Sequence, residues 1–237
     1  MAHRSMTFNG IRKPYIYLPE GREKAPFSPL NRNVVKYPGG YRLKDTEADL
    51  LSITQPIEYI VRNDEEDLEL KDDIASWLVT EDLAPLTFDD EPGRTYYAEV
   101  RQIRNFSKEI DLVRSGLIEF VSYYASGAEH DLIISTEYST KNIEGQKKVP
   151  WTSKTTFDVD ASQYVLETNK GGRVVLNFDF IATDLLEFDY HKRKVTLNGE
   201  NLAEAIDLQT NWFKLEPGEM SIRASHQTTI TYTERYH

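Results

Sequence analysis

In the second half of the chain, apolar and polar residues alternate with a period of two between short clusters of turn residues. Val174, Leu176, Phe178 and Phe180 alternate over Arg173–Phe180, and Leu186, Phe188 and Tyr190 repeat the pattern. Tyr190-His191-Lys192-Arg193 then makes a polar turn, after which Val195 and Leu197 resume the alternation. Successive side chains of an extended strand point to opposite faces, so this period marks strands with one face buried. Asn198-Gly199 supplies the positive φ that a two-residue hairpin turn requires. Gly171-Gly172 and Pro217-Gly218 are further turns, and Thr228–Tyr232 reads as a terminal strand. Short strands at this spacing, without a strong helix signal, predict a β-sandwich.

The first half is organised differently. Pro14, Pro19, Pro26, Pro29 and Pro38-Gly39-Gly40 punctuate short extended segments, as in a hairpin-rich or arm-like region. Ile57-Glu58-Tyr59-Ile60-Val61 reads as a strand with Ile57, Tyr59 and Val61 on one face. One helix follows: Asn63 or Asp64 can cap it, and Asp64, Glu65, Glu66 and Asp67 place negative charge at its positive end. Leu70, Ile74, Trp77 and Leu78 form its single apolar stripe. The acid run lacks the alternate spacing and central glycine of a calcium loop, which predicts a solvated first turn. Tyr96–Ile103 and Gly116–Tyr124 are the main strands beyond it, and the small residues Ser126-Gly127-Ala128 mark a break. The division expected is therefore residues 1–128 and 129–237, mainly β with one principal helix.

Composition removes several classes of function. The 237 residues contain no cysteine, so there is no disulfide framework, zinc ribbon or thiol nucleophile. No run approaches the roughly 20 apolar residues of a spanning helix, and Met1–Ser5 has no apolar core of a secretory signal, with Met6-Thr7-Phe8-Asn9-Gly10 a second plausible start. The formal charge is −11, and only short clusters such as Arg22–Lys24 and His191–Lys194 are basic. Holding nucleic acid normally needs a basic footprint, so direct DNA binding is disfavoured.

Candidate chemistry is sparse. Asp89, Asp90 and Glu91 could act as an acid/base pair, but that chemistry needs carboxylates facing each other across a substrate. Adjacent residues ahead of Pro92-Gly93 read instead as a tight turn. His3, His130, His191, His226 and His237 are not at metal-ligand spacing, and no nucleophile elbow or phosphate loop is present. No catalytic, cofactor-binding or metal residue is predicted. Trp151 and Trp212 are candidate sugar or partner contacts, weighed against a role in the core.

Several phrases resemble, in order, the distal tail protein family of siphophages, the long-tailed, non-contractile bacteriophages. Asp90-Glu91-Pro92-Gly93-Arg94-Thr95-Tyr96-Tyr97 is similar to the family's acidic Glu-Pro turn, Arg and aromatic strand. Phe8-Asn9-Gly10 resembles its opening. Phe188-Asp189, Arg193, Val195-Thr196-Leu197-Asn198-Gly199, Trp212-Phe213-Lys214-Leu215-Glu216-Pro217-Gly218 and Ile230–Tyr236 follow the pattern to the C-terminus. The family usually closes its first domain with an aromatic strand, a cysteine and an Asp-Pro-aromatic phrase. Here that place reads Phe120-Val121-Ser122-Tyr123-Tyr124-Ala125-Ser126-Gly127.

The resemblance implies a virion protein of the tail tip, made in the bacterial host cytoplasm, that is not an enzyme and needs no cofactor. Its first domain would close into a homo-hexameric ring continuing the tail tube. Its second would be a galectin-like or carbohydrate-binding-module-like sandwich. Implied partners are the tail tube protein, a tail-associated (Tal-like) protein and, in some phages, receptor-binding proteins, with DNA passing through the channel unbound and no membrane contact. Asp90, Glu91, Pro92, Arg94, Asn198, Gly199, Pro217 and Gly218 would be structural positions of the family motifs. A carbohydrate-binding β-sandwich contacting host-surface glycans is the alternative.

Overall fold

A computed structural model describes residues 5–110 and 112–237, the side chains of 105–110 excepted. The expectation about the leader falls mostly on residues 1–4, outside the described residues. The chain packs as two compact units, one running up to Ser126 and the other Gly127–Tyr236.

The first unit contains β1 (Met6–Phe8), β2 (Glu23–Lys24), β3 (Leu30–Tyr37), β4 (Gly40–Ala48), β5 (Leu51–Ile60), α1 (Asp64–Leu78), β6 (Ala84–Phe88), β7 (Thr95–Ile110) and the first part of β8 (Val113–Ile134). Its main sheet is antiparallel in the order β1-β6-β7-β8, with β5 pairing β8 and β2 pairing β5. Period two is clean in β5, where Leu51, Ile53, Gln55, Ile57 and Tyr59 are buried and the intervening residues are not. Asn63 caps α1, its Oδ1 accepting from the Glu66 N–H at 2.8 Å. Ile74, Trp77 and Leu78 are buried, and the Trp77 indole donates to the Phe8 carbonyl at 3.0 Å. Phe8 in turn packs on Phe120, with centroids 5.4 Å apart, so helix and sheet share one core.

Three expectations need correction here. Asp67 is buried at 8% exposure, not solvated: Tyr59, Lys71 and Arg114 all donate to its carboxylate. Arg114 is an otherwise buried cation, and an ion taken out of water needs such a partner. Ser126-Gly127-Ala128 does not break the strand, because β8 is continuous through it, although the chain divides into its two units at this place. A Cβ on Gly127 would lie 2.1 Å from a Glu234 carboxylate oxygen, so this glycine serves a close approach within the sheet. The strands around it are also longer than the pattern predicted, since β7 and β8 support each other through paired backbones beyond their apolar stretches.

The second unit continues with β9 (Ser139–Ile143), β10 (Trp151–Thr156), β11 (Ala161–Thr168), β12 (Arg173–Phe180), β13 (Leu185–Asp189), β14 (Lys194–Leu197), β15 (Glu200–Asn201), a short 3-10 turn (Ala203–Ala205), β16 (Gly218–Ala224) and β17 (Thr228–Tyr236). One sheet runs β8-β17-β10-β13-β14-β15 and the other β12-β11-β16-β9. Trp151, Leu186, Phe188 and Ile230 from the first meet Leu166, Leu176, Met220 and Ile222 from the second in one core, which makes a β-sandwich. The expected alternation of β12 fails at Phe178, which is 37% exposed. Register shifts between Ala161↔Phe180 and Gln163↔Asn177, and a bulge there turns Phe178 off the core face. Among the described residues α1 is the one α-helix, and no helix is long and apolar enough to cross a membrane.

Candidate interaction surfaces

The turn Asp90-Glu91-Pro92-Gly93-Arg94 joins β6 to β7. Glu91 N–H donates to the Phe88 carbonyl at 3.1 Å, the Arg94 N–H to the Glu91 carbonyl at 3.3 Å, and Gly93 takes φ +76°. Proline presets the first of these backbone angles and only glycine reaches the last without strain. The turn's acids face cations that arrive from almost seventy residues earlier. Arg22 donates to Asp90 at 2.8 Å, to Glu91 at 2.9 Å and to the buried Gln55 at 2.7 Å. Lys24 donates to the other Glu91 oxygen at 2.7 Å, where the Tyr96 hydroxyl also donates. The Arg22 guanidinium lies over the Phe88 ring at 3.6 Å, adding a cation–π contact. Arg12 reaches Asp89 at 2.7 Å.

This arrangement bears on chemistry. Burial pushes the Glu91 carboxyl up, but hydrogen bonds from Lys24 and Tyr96 and the charges of Lys24 and Arg22 outweigh it and hold the group below its ordinary value. A carboxylate kept ionised between two cations is not placed to act as a general acid. Its oxygens are spent on tying β2 to the β6–β7 turn. The cluster Arg22–Lys24, read in sequence as a small basic patch, is the other half of that tie. No local period links the two segments, so only complementary charge counts hinted at it.

The segment so anchored leads directly into β3 and β4. These two strands pair only with each other, from Leu30↔Ala48 to Tyr37↔Gly40. Every residue of β3 is exposed, and Val34 (54%), Val35, Tyr37, Tyr41 (70%) and Leu43 leave apolar surface on both faces of the ribbon. A lone two-stranded ribbon is marginal in water, and contiguous exposed apolar residues are uncommon on the surface of a lone folded chain.

In the second unit, Trp151 is 2% exposed, stacks on Phe188 with centroids 5.0 Å apart and donates its indole N–H to the Phe213 carbonyl at 2.8 Å. Trp212 is half-buried and stacks on Phe188 at 4.7 Å. Asn198 and Gly199 both take positive φ (+51° and +89°) in the two-residue turn between β14 and β15. Asn198 accepts from Leu185 N–H at 2.9 Å and donates to Asp184 at 2.8 Å. Gly218, at φ +90°, opens β16 after the bend at Pro217. No group of three or more His, Cys, Asp or Glu among the described residues is arranged to hold a metal ion.

Two domain families match this chain in series. Residues 19–122 match the phage tail protein RIFT-related domain, and residues 144–236 match the C-terminal domain of the siphovirus-type tail component. Both units of the chain therefore carry domains found in siphovirus tail proteins. The distal tail protein of Bacillus phage SPP1 is 28% identical over 183 residues, 73% of this chain and 71% of the relative. The crystal structure of the SPP1 Dit protein, described as a paradigm of hub adsorption apparatus in Gram-positive infecting phages, superposes with a TM-score of 0.86 at 17% identity, over 99% of both chains. A chain of the phage P2 baseplate in its activated conformation with Ca superposes with a TM-score of 0.48 at 9% identity, over 98% of both. The chain thus carries two siphovirus tail domains in series and is similar over most of its length to the SPP1 distal tail protein.

Proposed function

We propose that the chain assembles through its first unit into a homo-hexameric ring that joins the tail tube to the tail-associated protein, with the second unit offering a docking platform for host-adsorption components. The observation that carries this reading is the β3–β4 ribbon, whose apolar side chains stand exposed among the described residues. A cyclic ring needs two different patches per subunit, one giving and one receiving. A projecting ribbon is suited to be the giving patch, and its root is locked by Glu91, Arg22 and Lys24. No reaction is part of this proposal, because the acids that suggested one are engaged with cations.

Mass measurement across a concentration series tests it, by light scattering or analytical ultracentrifugation. The expected species is a hexamer, and the double substitution V34D/L43D shifts it to monomer while the circular dichroism spectrum is kept. A monomer at all concentrations, alone and with the tail tube protein, sinks the ring. Oligomers unaffected by V34D/L43D remove the ribbon from the interface.

A further inference from the structure

The second unit carries a cleft whose chemistry differs from that of the chain as a whole. It holds about 280 Å³ and is walled by Trp212, Tyr190 and Phe213 and rimmed by Lys148, Lys170 and Lys214, with Glu216 as its acid. The protein is strongly anionic at −11, yet three cations surround one carboxylate here. Lys148 and Lys170 both point at Glu216, the latter at 3.7 Å, whereas Lys214 has no partner among the described residues. One face of Trp212 is occupied by Phe188, and Tyr190 meets it edge-on with centroids 6.2 Å apart. The ring is thus held by its neighbours while it lines the cleft.

The packing behind the wall is specific to this opening. A Cβ on Gly172 would lie 2.6 Å from the Phe213 ring and 2.8 Å from the Thr168 hydroxyl oxygen. Glycine at 172 therefore lets Phe213 lie against the β11–β12 turn, and that turn forms one side of the cleft. Thr168 fixes the turn by accepting from the Gly172 N–H at 2.9 Å.

We propose that this cleft binds a sugar ring bearing an anionic substituent, a phosphate or a carboxylate. The apolar face of a pyranose suits a fixed aromatic wall, and the anion would draw Lys170 and Lys214 together while competing with Glu216 for Lys148. The volume, about 280 Å³, lies just below the range for small-molecule sites, about 300–1,000 Å³, and suits a single ring rather than a long segment. A peptide adding to a strand edge is disfavoured by the neighbouring backbone. The edge of β12 is already taken by residues 207–211, through Asp207 N–H to the Val175 carbonyl at 2.9 Å and Asn211 N–H to the Arg173 carbonyl at 2.8 Å. This site is independent of ring formation, since every residue in it belongs to the second unit.

Titration of the full-length protein, followed by amide and indole NMR shifts, tests the assignment with glucose 6-phosphate, glucuronic acid, glucose and inorganic phosphate. The expected result is saturable binding of a charged sugar that perturbs the Trp212 indole, is weakened by salt, and is about tenfold weaker for glucose and for phosphate alone. Preference between the two charged sugars tells a phosphorylated from a carboxylated source. The surface pair K170Q/K214Q should lower affinity for the charged sugar about tenfold with an unchanged melting temperature. Phosphate binding as tightly as the sugar phosphate, or glucose as tightly as either, overturns the proposal. So does tighter capture of a glutamate-rich peptide, or no shift at millimolar sugar.

Discussion

Glu91 has two carboxylate oxygens and receives Arg22 on one and Lys24 with Tyr96 on the other. Its depressed pKa makes stability depend on pH in a definite direction. A carboxyl whose folded value lies below its ordinary 4.5 stabilises the fold fully above that value and loses the contribution as pH falls through the folded value. The substitution E91Q, which removes the charge and keeps the shape, should cost about 1–2 kcal/mol in urea unfolding at neutral pH. The difference from wild type should shrink in acid. Equal stability of the two proteins at neutral pH would show that the tie contributes nothing, and glycan hydrolysis lost with E91Q would restore catalysis to this turn. The turn itself was legible from Glu91-Pro92-Gly93, because local backbone chemistry specifies it. Its partners were not, because ion pairs across some seventy residues leave no periodic trace.

At the level of elements, the helix and the half-buried strands followed from pattern. Asn63, the acidic first turn and the Ile74–Trp77–Leu78 stripe placed α1 through capping, dipole and period. Where elements end was harder to read. Ser126-Gly127-Ala128 resembles a loop in sequence, yet β8 passes through it, because a small residue is needed where Glu234 and Tyr236 approach. Glu234 is itself held by Tyr236, His130 and the Ala128 N–H. The substitution G127A should therefore destabilise the second unit by about 1–3 kcal/mol, since overpacking must displace a fixed carboxylate. A melting temperature equal to wild type would mean that β17 shifts freely. Asn198 allows a parallel test: replacing it by Ala leaves a left-handed residue with a Cβ and no side-chain bonds to Leu185 and Asp184, a loss of about 1–2 kcal/mol.

For the whole molecule, the acid excess is the property most open to assembly. If the first unit forms the ring, an anionic inner wall lets DNA pass, whereas a cationic one would trap it by counterion release. The acidic runs at residues 45–49, 64–67 and 89–91 would supply such a wall, and the folded chain trims them. Asp67, Asp90 and Glu91 are neutralised by cations within the chain, and Asp45 is bonded to Asn33. Glu65, Glu69 and Asp72 remain exposed on α1. The assembled protein is expected to show no duplex DNA binding at roughly 0.15 M salt. Retention of DNA under those conditions, or an inner wall of lysine and arginine in the assembled ring, would end the idea.

By itself the sequence determined what depends on neighbours along the chain: strands by period two, one helix by its cap and stripe, and turns by proline, glycine and asparagine. Ordered phrases along the chain also carried the resemblance to siphophage tail proteins. Tertiary structure alone decided what depends on neighbours in space. It buried Asp67 beside Arg114, turned Phe178 outward at a bulge and joined Arg22 and Lys24 to the Glu91 turn. It left the β3–β4 ribbon bare, since whether an apolar strand is covered is a property of the packing around it and not of its own residues.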